Sequence, residues 1–425
     1  MNVLIIGGGI SGLTMALSLH QIGVPCRVYE AVREVTPLGV GINLQPNAVR
    51  ELTELGLGDE LARIGTATEA LAFFNKFGQL VWREPRGRAA GFNWPQYSIH
   101  RGKLQVMLTE TVRARIGAEN LRTGHQFQKF EARGEKVVAT FIDRRSGDRV
   151  IEDEGDILIG ADGIHSAVRR QLYPQEGEPK FARQILWRAA IDAEPFLGGA
   201  TMAIAGHFHQ RVVIYPIGPA ANAPGMLLTN WIAQMTVADD APPPREDWNR
   251  KVAKERFFDS FRAWKFPWLD MPALIAATPE IFEFPLVDRD PVPRWSFGRV
   301  TLIGDAAHPM QPTGSQAGSQ AIVDARLLTA QLQSERDPVA ALARYDAMRR
   351  PAMNEVTLRN RNFGPEAAMQ LAEERAPHGF QNIEEVISRA ELEKISRSFS
   401  QAAGLDPKAL NERPTYVPAG RVVQP

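Results

Sequence analysis

The sequence predicts an α/β fold: a discontinuous Rossmann-like nucleotide-binding domain, an inserted mixed β-sheet domain, and a C-terminal helical segment with a tail. Three observations carry this. The chain opens on a short apolar run, a glycine turn and a helix-length segment. Two further short apolar runs, each followed by a turn bearing Gly and Asp, recur at Asp156–Gly160 and Val300–Ile303. Between them, from about Arg183 to Met235, the chain is strand-rich.

The opening comes first. No charged side chain precedes Arg27, so 26 residues carry no formal side-chain charge. A signal peptide needs a positive start and a small-residue cleavage site, and neither is clear. A membrane span needs about 20 predominantly apolar residues, and Gly7, Gly8, Gly9, Ser11, Gly12, Thr14, Ser18, His20 and Gln21 interrupt this one. The stretch reads as a buried strand at Val3–Ile6, a turn, a buried helix over Ser11–Gln21 and a second strand at Val28–Glu30. Gly7-Gly8-Gly9-Ile10-Ser11-Gly12 fits G-x-G-x-x-G between strand and helix. The glycines permit close backbone approach to a pyrophosphate resting on the helix N-terminus. Glu30 follows Gly12 by 18 residues, where an acid binds a ribose hydroxyl. The competing reading is a glycine turn in an unrelated α/β unit.

Further on, Asn47–Leu61 and Gly102–Ile116 read as helices, the second with Leu104, Met107, Leu108 and Val112 on one face. Val137–Asp143 and Arg149–Gly160 read as strands. The inserted sheet takes Gln184–Ile191, Thr201–Ala205, Arg211–Ile217 and Met226–Ile232. Pro242-Pro243-Pro244 reads as a surface loop. Helices follow over Ser319–Gln333 and Val339–Arg350, the latter meeting Pro351. The tail is helical from about Glu384 to Ala403, with Val386, Ile395 and Phe399 as its apolar side, and then irregular. The nucleotide domain is expected at residues 1–70, 96–180 and 290–350, the sheet domain at 71–95 and 181–289, and the helical segment at 351–425.

At 425 residues the chain can bury a large core without staples. Lys plus Arg and Asp plus Glu number 49 each, which gives no global electrostatic reason to expect nucleic acid or an anionic membrane. One cysteine, Cys26, excludes an intramolecular disulfide and any Cys-based zinc or iron–sulfur cluster. No H-E-x-x-H occurs, and no metal is expected. A cytoplasmic protein, monomeric or homodimeric, fits this composition.

Two more motifs carry chemistry. Ile157-Leu158-Ile159-Gly160-Ala161-Asp162-Gly163 is a strand entering a turn, with Ser166 opening a helix. An acid at a strand's carboxyl end is placed to meet a ligand; alternatively Asp162 only caps the turn. Val300-Thr301-Leu302-Ile303-Gly304-Asp305-Ala306-Ala307-His308 repeats the pattern, and Pro312–Gly318 leads into a helix N-terminus able to hold negative charge. The alternative there is a loop of small residues for packing.

These three motifs, in this order and spacing, resemble the FAD-binding group A aromatic monooxygenases, the para-hydroxybenzoate hydroxylase family. The resemblance covers Met1 to about Arg350 and is nearest to the phenazine-modifying subgroup, through Pro37–Pro46, Pro95–Gly102 and Pro285–Pro291. It implies that Gly7, Gly9, Ile10, Ser11 and Gly12 hold the FAD pyrophosphate, and that Glu30 and Ala31 meet the adenosine. Arg101 resembles the family arginine near the phosphates, with Gln105 one turn on. Phe127 takes the place of a strand residue whose backbone meets adenine. Asp162 and Gly163 form the motif implicated in FAD and NAD(P)H interactions. Asp305 resembles the aspartate on the ribityl chain. Pro312–Gly318, with Gly314 and Gly318, would run beside the isoalloxazine ring, and the Gly39–Leu44 loop, with Val40 and Gly41, would line its other side. The subgroup carries glycine where this chain has Ala317, with the small residue exchanged to Gly318.

The resemblance implies an FAD-dependent monooxygenase. NAD(P)H reduces the flavin without a second Rossmann domain, O2 gives a flavin hydroperoxide, and hydroxyl passes to an aromatic or N-heteroaromatic small molecule. Trp187, Arg188 and Tyr215 are the substrate candidates in the sheet domain, against ordinary sheet packing; Pro312 and Tyr215 are the candidates at the reacting centre. His308 reads as structural or flavin-side rather than as a base. Two other functions fit the same residues: a flavin-dependent dehydrogenase or reductase without oxygen insertion, and a non-catalytic FAD-fold binding protein.

Overall fold

A computed structural model describes residues 1–36, 40–221, 223–238, 250–361, 366–402 and 405–418, with side chains of 397–402 left undescribed. Pro37–Gly39, the Pro242–Pro244 run, Ala403 and the Phe399 side chain, all given readings above, lie outside the described residues.

A five-stranded parallel sheet runs in the order Val300–Leu302, Ile157–Gly160, Val3–Ile6, Cys26–Glu30, Leu121–Thr123. Its middle strand is buried at every residue, as an apolar run covered on both faces should be. Helix Ile10–Gln21 follows, buried continuously from Ser11 to Leu19. A helix buried on all sides has no room for charge, which explains the uncharged opening. Two of its buried hydroxyls donate within the helix: Thr14 and Ser18 bond the carbonyls four residues back, at 2.7 and 2.8 Å. Cys26 lies buried in the second strand, its thiol pushed up to about 12 by burial, hence inert.

The second large sheet has eight strands, in the order Lys251–Val252, Ile281–Asp288, Lys180–Ala193, Leu227–Thr236, Gln210–Pro219, Thr201–His207, Ala70–Phe74, Leu80–Pro85. One face carries an aromatic core that includes Trp187, Trp231, Phe257 and Phe261. The other is partly covered by helices Ala367–Arg375 and Arg389–Ala402. A small sheet of Gly41–Leu44, Gln96–His100 and Gly65–Thr68 lies against the Gln210–Pro219 strand.

Four elements differ from the sequence reading. The first helix after the small-sheet strand is two, Pro46–Glu54 and Gly58–Ile64, because Gly56 turns the chain at φ +76°. The strand read as Arg149–Gly160 is two, in different sheets, parted at Asp156, whose carboxylate takes the Asn2 amide and Lys136. The last long helix does not stop at Pro351 but runs from Pro338 to Asn360. An internal proline costs about 3 kcal/mol, but Pro351 is exposed and Met353, Val356, Thr357 and Asn360 beyond it are buried, which offsets the loss. The tail begins as a turn at Ile383–Glu385, with the helix proper at Arg389–Ala402, and Ile387 and Leu392 are buried.

The segment 405–418 is no loose appendage. Helix Pro407–Glu412 and Arg413 bind helix Pro46–Glu54 through buried charge. Glu51 and Arg326 are both 0% exposed and 3.2 Å apart. Arg413 adds a second cation to Glu51 at 2.5 Å. Arg50 donates to the carbonyls of Leu410 and Arg413, each at 2.7 Å.

Candidate active site

In a parallel sheet all strands present their carboxyl ends on one edge, the place where such folds bind ligands. Here that edge collects Gly7, Glu30, Asp162 and Asp305. The glycines let the three motifs touch. A Cβ on Gly7 would stand 2.4 Å from the Ala161 carbonyl oxygen, and one on Gly304 3.0 Å from the Ser11 side chain. Any larger residue would push the second and third motifs away from the first. A Cβ on Gly9 meets nothing within 4 Å, so the turn is open at the helix N-terminus, where no side chain caps the amides. Glu30 is fixed by two backbone donors, Gly8 at 2.7 Å and Val32 at 2.9 Å. Ala31 beside it is exposed, while Ile10 is half-buried. Gln105 donates to the Gly8 carbonyl at 3.0 Å, so it braces the turn. The Phe127 side chain is in the core, edge-on to Phe141 at 5.9 Å.

Asp162 does cap: its carboxylate accepts the Ser166 hydroxyl at 2.5 Å and the Ala167 and Val168 amides at 2.7 and 3.2 Å. Burial raises its pKa in spite of these donors. Gly163, at φ +76° with open space on its Cβ side, leaves the turn accessible next to it.

Arg101 heads helix Arg101–Ile116, its backbone amide held by the Val40 carbonyl at 2.8 Å. Its guanidinium, whose pKa is lowered by burial, faces Asp305. Asp305 is surrounded by protein yet exposed to solvent, so it lines a cleft. Burial raises the Asp305 pKa, and His308 and Arg101 oppose the rise.

Behind this turn sits Asp324, fully buried, accepting His308 Nε2 at 2.5 Å, the Gly304 amide at 2.9 Å and Arg349 Nε at 2.7 Å. His308 is therefore a brace for the Gly304–Ala306 turn. Against the cost of burial, His308 and Arg349 pull the Asp324 pKa from 3.8 to about 2. A depressed carboxylate stabilises above its unfolded value and loses that contribution as pH falls through the folded one. The contribution is on the order of 2 kcal/mol. Urea midpoints of the native protein and Asp324→Asn should thus converge between pH 4 and 2; a constant gap would refute the assignment.

On the cleft's other side, Gly41 packs where a Cβ would stand 2.6 Å from the Tyr215 ring, and its amide donates to Asn230 Oδ1 at 2.8 Å. Asn43 is the hub: it bonds Tyr215, accepts the Ser98 hydroxyl at 2.5 Å and reaches Ser315 at 3.5 Å. Arg188 and Tyr215 share this face, and Arg188 acts electrostatically on both Arg101 and Tyr215. Trp187 does not join them. Successive strand residues face opposite sides, so Trp187 stacks on Phe257 at 4.6 Å in the far core, its indole donating to Glu283 at 2.9 Å. The substrate reading of Trp187 gives way to core packing.

The loop before helix Ala317–Ser334 is also built for approach. Gly314 has φ +67°, and its carbonyl accepts Gln45 and Gln316. Pro312 is exposed and its carbonyl accepts the Ser315 amide at 2.9 Å. Gly318 meets Ile42, 2.7 Å from an added Cβ, so a glycine is needed there for packing against the small sheet. No side chain caps this helix either. Asn43, Asn230, Asp324 and Arg349 were not singled out from the sequence. Asn43 lay inside the resemblance at Pro37–Pro46, whereas Asp324 and Arg349 carry no local signal and meet only across packed helices.

Among the described residues no helix is long and apolar enough to cross a membrane, and no group of three or more His, Cys, Asp or Glu could hold a metal ion. The family described as FAD binding domain matches residues 1–360. Phenazine 1,6-dicarboxylic acid hydroxylase of Lysobacter antibioticus is 41% identical over 85% of this chain and 89% of its own. Aurachin C monooxygenase/isomerase of Stigmatella aurantiaca is 32% identical over 82% and 85%. Klebsiella pneumoniae HpxO, solved with FAD and uric acid, has the same fold at a TM-score of 0.74 and 23% identity, over 96% of this chain and 98% of that one. A match of this extent, on an edge where three motifs converge, places the chain in the FAD-binding-domain family, among the flavin-dependent aromatic hydroxylases.

Proposed function

We propose that the protein is an NAD(P)H- and O2-consuming monooxygenase that hydroxylates an aromatic or N-heteroaromatic small molecule, with FAD held along the carboxyl edge of the parallel sheet. The observation that carries this is the fit of the edge to a dinucleotide and a flavin. Two uncapped helix N-termini open onto it, at Gly9 and Gln316, and Asp305 and Arg101 are enclosed by protein yet reachable from solvent.

The residues divide the work. The Gly9 end of the first helix and Arg101 offer amides and a cation to a diphosphate. Glu30, held by two amides, presents a carboxylate to a ribose, and Asp305 another to a polyol chain. The Ala317 helix terminus provides positive potential for a ring that gains negative charge. When bound, FAD supplies hydride acceptance and oxygen activation. Tyr215, its pKa raised by burial, stays protonated and offers a hydroxyl to the substrate beside Asn43. Burial, with Arg101 adjacent, pushes the Arg188 guanidinium down to about 9; it is cationic at neutral pH and gains from an anion beside it. The names of the relatives, a phenazine dicarboxylic acid hydroxylase and a 3-hydroxybenzoate 6-hydroxylase among them, support an acidic ring substituent there.

Purified protein should therefore be yellow, release FAD on denaturation and be bleached anaerobically by NADH or NADPH. Protein that neither carries nor takes up FAD would end this reading. Arg188→Met should keep FAD and raise the KM for a carboxylated ring at least about tenfold, the loss of one charge-assisted hydrogen bond. An unchanged KM would remove Arg188 from the substrate site.

A further inference from the structure

The cleft face of the large sheet is not uniformly covered. Arg188, Ala190, Leu228 and Ile232 stay partly accessible although they lie on its two inner strands Lys180–Ala193 and Leu227–Thr236. Arg188, Ile232 and Val213 form one cross-strand row. The next row on that face, Leu186, Gln234 and Arg211, is buried throughout. Val213 is itself buried, so the accessible floor carried by Arg188 and Ile232 ends toward Gln234 and Arg211.

What ends it is an ion pair. Arg211 Nη1 lies 2.7 Å from Glu366 Oε2, and both side chains are 8% exposed. Arg211 Nε also donates to Gln234 Oε1 at 3.1 Å, and Gln234 donates in turn to Gln184. Glu366 stands at the start of helix Ala367–Arg375, whose Ala368, Met369 and Ala372 pack into one cluster with Met202, Ile204 and Val213. This helix sits over the outer strands Thr201–His207, Ala70–Phe74 and Leu80–Pro85, and Glu366 reaches inward from it. Both the helix and Glu366 lie beyond residue 360, where the family match stops.

We propose that the Arg211–Glu366 pair is the end wall of the ring-binding chamber and sets the size of ring system the enzyme accepts. The proposal rests on the aromatic-binding reading above. Charge is not what a wall needs. A buried pair replaced by apolar side chains of similar volume is often neutral for stability, whereas removing one partner leaves a buried charge. The volume is what ends the floor, so the chamber should respond to volume alone.

The test compares two holoenzyme variants that both lack the charges. Arg211→Met/Glu366→Leu keeps the volume, and Arg211→Met/Glu366→Ala removes it. Dissociation constants for benzoate, quinoline-2-carboxylate and phenazine-1-carboxylate are read from the perturbation of the bound flavin spectrum, which needs no turnover. Relative to benzoate, the phenazine acid should gain about tenfold in the alanine variant and stay as in the native protein in the leucine variant, the discrimination a filled or emptied apolar volume gives. Equal ratios in all three proteins would overturn the wall. A failure of all three acids to perturb the native protein would instead remove the aromatic-binding reading, and the wall with it.

Discussion

Asp305→Ala should release FAD while leaving the fold in place. Asp305 sits in the Gly304–Ala306 turn after the Val300–Leu302 strand, faces Arg101 and lines the cleft without serving the core. A charge-assisted hydrogen bond to a cofactor hydroxyl is worth about 1.5–3 kcal/mol. The dissociation constant for FAD should therefore rise roughly tenfold to a hundredfold. Titration of the apoprotein by flavin fluorescence measures this. Asp305→Asn, which keeps an acceptor without the charge, should fall between. Full FAD occupancy in the alanine variant would refute the role. Folding should be nearly untouched, because the turn itself is held from behind by Asp324 through the Gly304 amide and His308.

The second large effect is on stability. Glu51→Ala should leave Arg326, 0% exposed, without its principal carboxylate, and free Arg413 from the same site. Breaking a buried pair from one side costs about 3–5 kcal/mol, so the melting temperature of a chain this long should fall by roughly 3–6 °C. Burial raises the Glu51 pKa even with Arg413 and Arg326 beside it, so the pair is there at a desolvation cost. The double change Glu51→Leu/Arg326→Met should accordingly lose much less than Glu51→Ala. An additive loss would contradict the pairing. Because Arg413 comes from the tail, a chain ending at residue 404 should show part of the same loss.

What was legible in the sequence was local. Val3–Ile6, the glycine turn and Glu30 announce themselves because strand, turn and acid fall within 30 residues. The uncharged opening is legible for the same reason, since a helix enclosed on every side excludes charge. Asp162 and Asp305 follow from the same strand–turn pattern. The sequence left two readings of Asp162 open, and its three capping bonds support the bland one without removing its neighbour Gly163 from the open edge.

Long-range partners were not legible. Asp324 meets His308 16 positions away and Arg349 25 positions away, through helix packing that no periodicity encodes. The facing of Trp187 and Arg188 depends on strand register, which needs the partner strands, and one step of register separates core from cleft. Arg413 sits 362 residues from Glu51, in a stretch whose composition reads as irregular tail. The helix through Pro351 was missed because its cost is local while its compensation, the buried residues beyond, is tertiary.

Oxygen transfer to an aromatic ring is what separates a monooxygenase from a flavin dehydrogenase on the same fold. The most direct test is turnover of an accepted aromatic acid with NAD(P)H under isotopically labelled O2, with the product read by mass spectrometry. One labelled oxygen atom per hydroxylated product is expected, and none from labelled water. Substrate-dependent NAD(P)H oxidation that yields only unlabelled product, or product oxygen drawn from water, would contradict it and leave a flavin dehydrogenase or reductase on this scaffold.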